Sequence, residues 1–373
     1  MPENVMLSWL MPILICFANG SFGQVPGFGC IPQECSANGK EAICTGGNFT
    51  TVPTFIKCGY QLSQLTISGS AIRNLTANSL PVGLTYFALY DTPLQYISDD
   101  AFDDCATTLT MVSFGNSMPN QIPNAFMKLT SLQNLEVNEV NVQDWNTPVL
   151  QKIGQTLNSF GSTNVGITSW PSWVQYFTVL TEIRFSRSNI TQVPEDALVH
   201  VANTLSTFEI SFSNLTRVPQ AISSLTGIDY LYLRWNQIAI ITNLTPQIKS
   251  MDLTGRLIEE IFSDTFSNAF SLGDLTLSHN PILRIAVDAF ANTPLKTLYL
   301  EGTKLTRMPL AFAKLTQVTS IELGENEGMV CTCSESSLQT WLTSLPNMSI
   351  YGECDQFDVR EFFSKLATDC PKQ

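Results

Sequence analysis

Histidine and basic side chains are scarce in this chain. Of 373 residues, 2 are histidine and 19 are lysine or arginine, against 32 acidic residues, which leaves a net charge of −13. Nucleic acid and anionic bilayers select basic surfaces, so this balance argues against both as partners. Long apolar runs are equally rare. Residues 5–18 are apolar but too short and too terminal for a membrane span, and Ala18, Gly20, Ser21 and Gly23 follow them. Residues 1–23 therefore read as a secretory signal peptide, although Glu3 stands where a basic residue is usual. No later stretch reaches about 18 apolar residues, and the tail Asp369-Cys370-Pro371-Lys372-Gln373 carries no anchor signal. The expectation is a secreted, extracellular chain with no membrane span.

Catalytic patterns are missing as well. There is no nucleophile elbow, no metalloprotease helix motif, no phosphate loop and no clustered carboxylate pair. His200 and His279 lie far apart in the chain. The sequence therefore offers no catalytic residues, no metal ligands and no reason to expect a cofactor.

What is present is a period. Aliphatic residues recur as L-x-x-L-x-L-x-x-(N/S/T)-x-L, most fully in Ile228-Asp229-Tyr230-Leu231-Tyr232-Leu233-Arg234-Trp235-Asn236-Gln237-Ile238 and again from Leu272 to Ile282. That spacing is the leucine-rich repeat. Twelve units start at Leu62, Leu84, Leu109, Leu132, Leu157, Leu180, Leu205, Ile228, Ile248, Leu272, Leu295 and Val318, here called repeats 1 to 12. Leu84, Leu132, Leu180 and Ile228 stand 48 residues apart, which suggests duplication of a two-repeat unit. The fold expected is an α/β repeat: a right-handed, curved horseshoe solenoid with a parallel β-sheet on its concave face and short helical or irregular convex segments.

Side chains on a strand alternate, so the aliphatics point inward and the residues between them point out onto the sheet. The ninth position, which normally places an asparagine amide against backbone groups, holds Asn only at Asn236, Asn280 and Asn326. Ser70, Thr92, Ser117, Ser188, Ser213 and Thr303 offer a hydroxyl there, and Val140 and Val165 offer nothing, so the middle of the array is expected to be less regular than its C-terminal third. Prolines follow an aliphatic at Pro123, Pro171, Pro194, Pro219 and Pro309, where they favour an extended convex segment over a helix. Asp100-Ala101-Phe102 and Asp288-Ala289-Phe290 read instead as short helical turns with the Phe packed inward.

The cysteines bracket the array. Cys16 leaves with the signal, Cys30, Cys35, Cys44 and Cys58 precede the repeats, and Cys331, Cys333, Cys354 and Cys370 follow them. Terminal repeats have no neighbour to cover their apolar faces, so short stapled caps make physical sense. A zinc site at Cys331-Thr332-Cys333 is the rival, disfavoured in an exported chain. The division expected is signal peptide 1–23, N-terminal cap 24–61, repeats 62–328 and C-terminal cap 329–373. Cys105, the odd residue, is either a buried free thiol or an intermolecular link.

These features resemble the extracellular leucine-rich repeat family with cysteine-rich caps, over nearly the whole mature chain. The C-terminal spacing, with Trp341-Leu342 between the cysteines, is the most specific part. The resemblance implies the pairs Cys331–Cys354 and Cys333–Cys370; the N-terminal four stay open among three connectivities. Alternating repeat lengths and the sparse Asn ladder also resemble a group of secreted arthropod proteins that includes the non-catalytic subunit of deep-sea shrimp luciferase.

Six N-x-S/T sequons begin at Asn48, Asn74, Asn189, Asn214, Asn243 and Asn347, so an exported chain should be glycosylated. On the concave face Tyr230, Tyr232, Arg234 and Trp235 form the densest group of residues typical of binding hot spots, with Arg184, Glu209, Asp252 and Tyr299 also facing outward. The functional reading is a non-enzymatic glycoprotein that recognises a protein partner through its concave face, in adhesion, immune recognition or a secreted complex. The alternatives are a self-associating matrix component, or a subunit stabilising a luciferase-like oxygenase.

Overall fold

The computed structural model of the chain describes residues 32, 34–53, 55, 61–242, 244–355, 357–366 and 370. The expected signal peptide, Cys30, Cys58 and the sequon at Asn243 lie outside the described residues.

Each of the twelve repeat starts is followed two residues later by a strand, from Gln64–Ser68 in repeat 1 to Ser320–Glu322 in repeat 12. Each pairs in parallel with the strand of the next repeat, at matching positions. Together they make up most of a 15-stranded sheet. The other three strands come from the flanking regions: Cys35–Asn38 and Glu41–Thr45 at one end, Ser349–Tyr351 at the other. The molecule is a leucine-rich repeat solenoid, and the core lies behind the sheet. An inward column runs from Leu65 through Phe160 and Leu231 to Ile321, each fully buried. Burying one such side chain contributes about 1.5–3 kcal/mol, so repeats hold one another in place face to face.

Both kinds of ninth residue form ladders. Asn280 Nδ2 donates to the carbonyls of Leu253 (2.8 Å) and Leu277 (3.0 Å), while its Oδ1 accepts from Ile258 N (3.1 Å). Asn236 and Asn326 bond in the same way. In the hydroxyl repeats, Ser117 Oγ donates to the Gly115 carbonyl (2.8 Å) and accepts from Thr92 N (2.8 Å). Ser188 and Ser213 share a hydroxyl bond of 2.8 Å. At the valine repeats, Val142 N bonds directly to the Val165 carbonyl at 3.1 Å.

The irregular middle expected from the sequence is therefore not found. Strands are five residues long in repeats 1 to 7 and three residues long in repeats 8 to 12. The hydroxyls and direct backbone bonds keep the middle paired. The three-residue strands occur both with asparagine at the ninth position, in repeats 8, 10 and 12, and without it, in repeats 9 and 11.

The convex prolines also behave differently from the extended reading. Pro123, Pro171, Pro219 and Pro309 each take an extended conformation themselves, and each immediately precedes a 3-10 helix: Asn124–Lys128, Ser172–Tyr176, Gln220–Ser224 and Leu310–Lys314. A residue at a helix start needs no donor, and the proline carbonyl accepts the first bond, as from Phe126 N at 3.2 Å. The inward aromatics appear as expected. Phe102 and Phe290 are fully buried, and Phe102 packs edge-on to Phe126 at 5.5 Å.

The ends are stapled. Cys331 is bonded to Cys354 and Cys333 to Cys370, and Trp341 Nε1 ties the cap to the Leu315 carbonyl at 2.8 Å. At the other end Cys35 is bonded to Cys44 across an antiparallel pair. Cys105 is a buried free thiol, 1 % exposed, which removes the intermolecular link as an option for the folded chain. Burial, with the charges of Asp104 and Asp103 added, pushes its pKa up to about 12.

Candidate functional site

The outward face of the sheet is laid out in three columns, because every strand is paired in register. The first column runs Glu182, Thr207, Tyr230, Ser250, Asp274, Thr297. The second runs Glu136, Gly161, Arg184, Glu209, Tyr232, Asp252, Thr276, Tyr299, Glu322, Tyr351. The third holds Ser211 and then, in the following repeats, Arg234, Ser278 and Glu301.

Charges in the centre of this face are already matched. Arg184 reaches Glu136 at 2.5 Å and also pairs with Glu182. Glu136 lies two strands away, and the reach is open because Gly161 stands between; a Cβ there would sit 3.2 Å from the Arg184 guanidinium. Arg234 Nη2 donates to Glu209 Oε1 at 3.0 Å, its Nε stands 3.7 Å from Asp252 Oδ2, and its guanidinium lies 5.5 Å from the Tyr232 ring centre. Tyr230 and Tyr232 stack on each other at 6.3 Å, and Tyr230 is 42 % exposed.

Tyr230, Tyr232, Arg234, Glu209 and Asp252 thus meet in one cluster. Arg184 anchors a second cluster on the N-terminal side, and Tyr299 stands apart in repeat 11. Trp235 is not on the sheet face. It lies on the rim, where the chain leaves every repeat strand except that of repeat 9 through one residue of positive φ, among them Asp91, Asn116, Glu139, Asn164, Arg187, Phe212, Trp235, His279 and Gly302. A bulky side chain in that conformation is strained, yet repeats 7 and 8 place Phe and Trp there. Phe212 stacks on Trp235 at 6.2 Å, Trp235 on His279 at 5.9 Å, and Arg256 sits 5.0 Å from the Trp235 ring centre. His279 occupies the space a Cβ on Gly302 would need, 2.6 Å from its Nδ1. Earlier in the same rim, polar residues pair instead: Asn116 with Asp91 at 3.3 Å and Asn164 with Glu139 at 2.7 Å.

The sequence puts Phe212 and His279 at the rim but Trp235 on the sheet face, and it does not join the three because they come from separate repeats. Their shared eighth position was the signal that could have joined them. His200, on the other side, hydrogen-bonds the Val174 carbonyl at 3.1 Å, and burial lowers its pKa. Among the described residues no His, Cys, Asp and Glu cluster could hold a metal, and no helix is long and apolar enough to cross a membrane. A cavity of about 470 Å³ opens on the convex side, between Ile240, Leu244 and Phe262.

Residues 55–162, 95–225 and 242–366 match the family described as the BspA-type leucine-rich repeat region, in six copies. Among curated proteins the chain is similar to mimecan. It is 42 % identical to the mouse protein over 62 residues, covering 16 % of this chain and 21 % of that protein. To human mimecan it is 33 % identical over 101 residues, covering 26 % and 34 %. The chain thus spans only about a third or less of these relatives. Among solved structures it resembles a leucine-rich repeat protein of Leptospira interrogans, with a TM-score of 0.52 at 16 % identity, covering 82 % of this chain and 93 % of that one. It also resembles a chain of the Drosophila Toll–Spätzle complex, with a TM-score of 0.54 at 14 % identity, covering 86 % and 55 %. At these identities the likeness to the two structures is one of fold.

Proposed function

Because the chain belongs to the BspA-type leucine-rich repeat family, we propose that it is a secreted, non-catalytic binding protein whose concave sheet receives a protein partner. The observation that carries this reading is the Tyr230–Tyr232 pair. Both rings stand on a sheet face that no helix among the described residues covers, next to a stacked aromatic rim; Thr207 and Ser250 flank Tyr230 in its column, and Glu209 and Asp252 flank Tyr232. Exposed aromatic area of this kind is typical of interface anchors. Arg234 contributes by holding Tyr232 in place rather than as a free charge, since its guanidinium is engaged by Glu209 and Asp252.

Export accords with the stapled ends and the sequons. Asn48, Asn74, Asn189 and Asn347 are exposed and Asn214 is half-buried, so glycans at these positions leave the sheet face clear.

A glycan placed on the sheet tests the reading. Asp274→Asn turns Asp274-Leu275-Thr276 into an acceptor for an N-linked sugar on the concave face, and Gln64→Asn does the same far away in repeat 1. Immobilised parent and Gln64→Asn chains should retain the same proteins from the extracellular fluid of the source, and the Asp274→Asn chain should lose them. Retention unchanged by the Asp274 glycan would place binding off the C-terminal half of the sheet. In the same assay, Tyr230→Ala with Tyr232→Ala should weaken binding at least tenfold, about the loss expected for truncated anchors.

A further inference from the structure

The carboxylates of the concave face fall into two sets. Glu136, Glu182, Glu209 and Asp252 are neutralised by Arg184 and Arg234. Asp274, Glu301 and Glu322, in the consecutive repeats 10, 11 and 12, have no ion pair among the described residues. Tyr299 lies beside Glu322 in the register, and Tyr351, 56 % exposed, lies on its other side. Ser278, next to Glu301 in the outward third column, is 4 % exposed and its Oγ has no hydrogen-bond partner among the described residues. Gly324 leaves the floor beside Glu301 open, with the carboxylate stem 3.9 Å from where a Cβ would be.

From this arrangement we propose that repeats 10 to 12 form the subsite that receives a lysine- or arginine-rich segment of the partner protein. The proposal rests on the concave-face reading above and narrows it to a place and a chemistry. Three unmatched anions, with Tyr299 and Tyr351 flanking Glu322 in the register, suit cations, which gain from the charge and from the rings together. The Glu322 carboxyl is held above its usual range by burial and by the charge of Glu301, a cost that an incoming cation relieves. Adjacent coils are about 4.8 Å apart, so the stretch from Asp274 to Tyr351 spans about 15 Å, the length of roughly five extended residues.

The test uses the full secreted chain and labelled octa-lysine, octa-arginine and octa-glutamate peptides, read by fluorescence anisotropy at low salt. The basic peptides should bind and octa-glutamate should not. The triple variant Asp274→Ser, Glu301→Gln and Glu322→Gln should weaken octa-lysine binding at least tenfold. A convex triple, Glu195→Gln, Asp196→Asn and Glu259→Gln, removes the same charge and should change it less than twofold. Equal losses in the two triples, or no binding of either basic peptide, would overturn the subsite. If the concave triple binds octa-lysine like the parent while the Asp274→Asn glycan still abolishes partner retention, the subsite is refuted and the concave-face function stands.

Discussion

At the scale of single residues, the ninth position shows how one site can be filled by two chemistries. An amide there serves three backbone groups, and a hydroxyl serves two. Asn280→Ala would leave the Leu253 and Leu277 carbonyls and Ile258 N without partners. A buried unpaired group costs about 1–3 kcal/mol, so urea unfolding should show a loss of about 3 kcal/mol for Asn280→Ala and about 1 kcal/mol for Ser117→Ala. Cys105 offers a second check. A thiol this deeply buried, with its pKa raised to about 12, stays protonated at neutral pH and should not react with an aromatic disulfide reagent until the chain unfolds. One thiol per chain released by the native protein would contradict that placement. The sequon pair is a third. Asn214 Nδ2, the nitrogen a sugar would occupy, donates to Asn189 Oδ1 at 3.4 Å. Two glycans at that separation would collide, so mass spectrometry of the secreted chain should find at most one of the two occupied.

At the scale of elements, the sequence was easiest to read where a residue's role depends on its own repeat. All twelve strand starts follow from the first aliphatic of each unit, because the inward side chains repeat at fixed spacing. Phe102 and Phe290 were readable for the same reason. Three features were not. The convex prolines argue in the sequence against helix, yet a fixed φ and a missing donor also suit the residue that opens a short 3-10 turn. The hydroxyl ladder escaped notice because each bond needs a neighbour 22 to 25 residues away. The Arg184–Glu136 pair skips a repeat altogether, and only the absent side chain of Gly161 permits it. The candidate site was legible in its members but not in its charge state, since the sequence cannot say which carboxylates an arginine will engage. Gly161→Val should therefore displace Arg184 and free Glu136, while leaving Tyr230 and Tyr232 in place. Its signature would be thermal stability lowered by a few degrees, with octa-lysine binding at repeats 10 to 12 unchanged.

At the scale of the whole molecule, repeats contact mainly their neighbours, the Arg184–Glu136 pair and the Trp235–His279 stack aside, so stability is close to a sum along the array and the ends carry disproportionate weight. The Cys333–Cys370 bridge spans 37 positions of sequence, and losing a native bridge of this kind costs about 2–5 kcal/mol. Cys333→Ser should sharply reduce the amount of chain reaching the medium, measured by immunoblot against the parent; normal export would argue that the cap folds without its staple. The other end has a consequence of a different sort. Every inter-repeat step of the sheet is parallel, but its outermost strand, Cys35–Asn38, runs antiparallel to Glu41–Thr45 and is cross-linked to it. A second molecule adding its last strand, Ser349–Tyr351, to this edge would meet backbone groups facing the wrong direction for the parallel pairing used in the rest of the array. Among the described residues the reversed strand makes this edge unlike every other step of the array: a strand continuing the direction of the repeats can join it only in antiparallel register, so end-to-end stacking that continues the parallel repeat is disfavoured there.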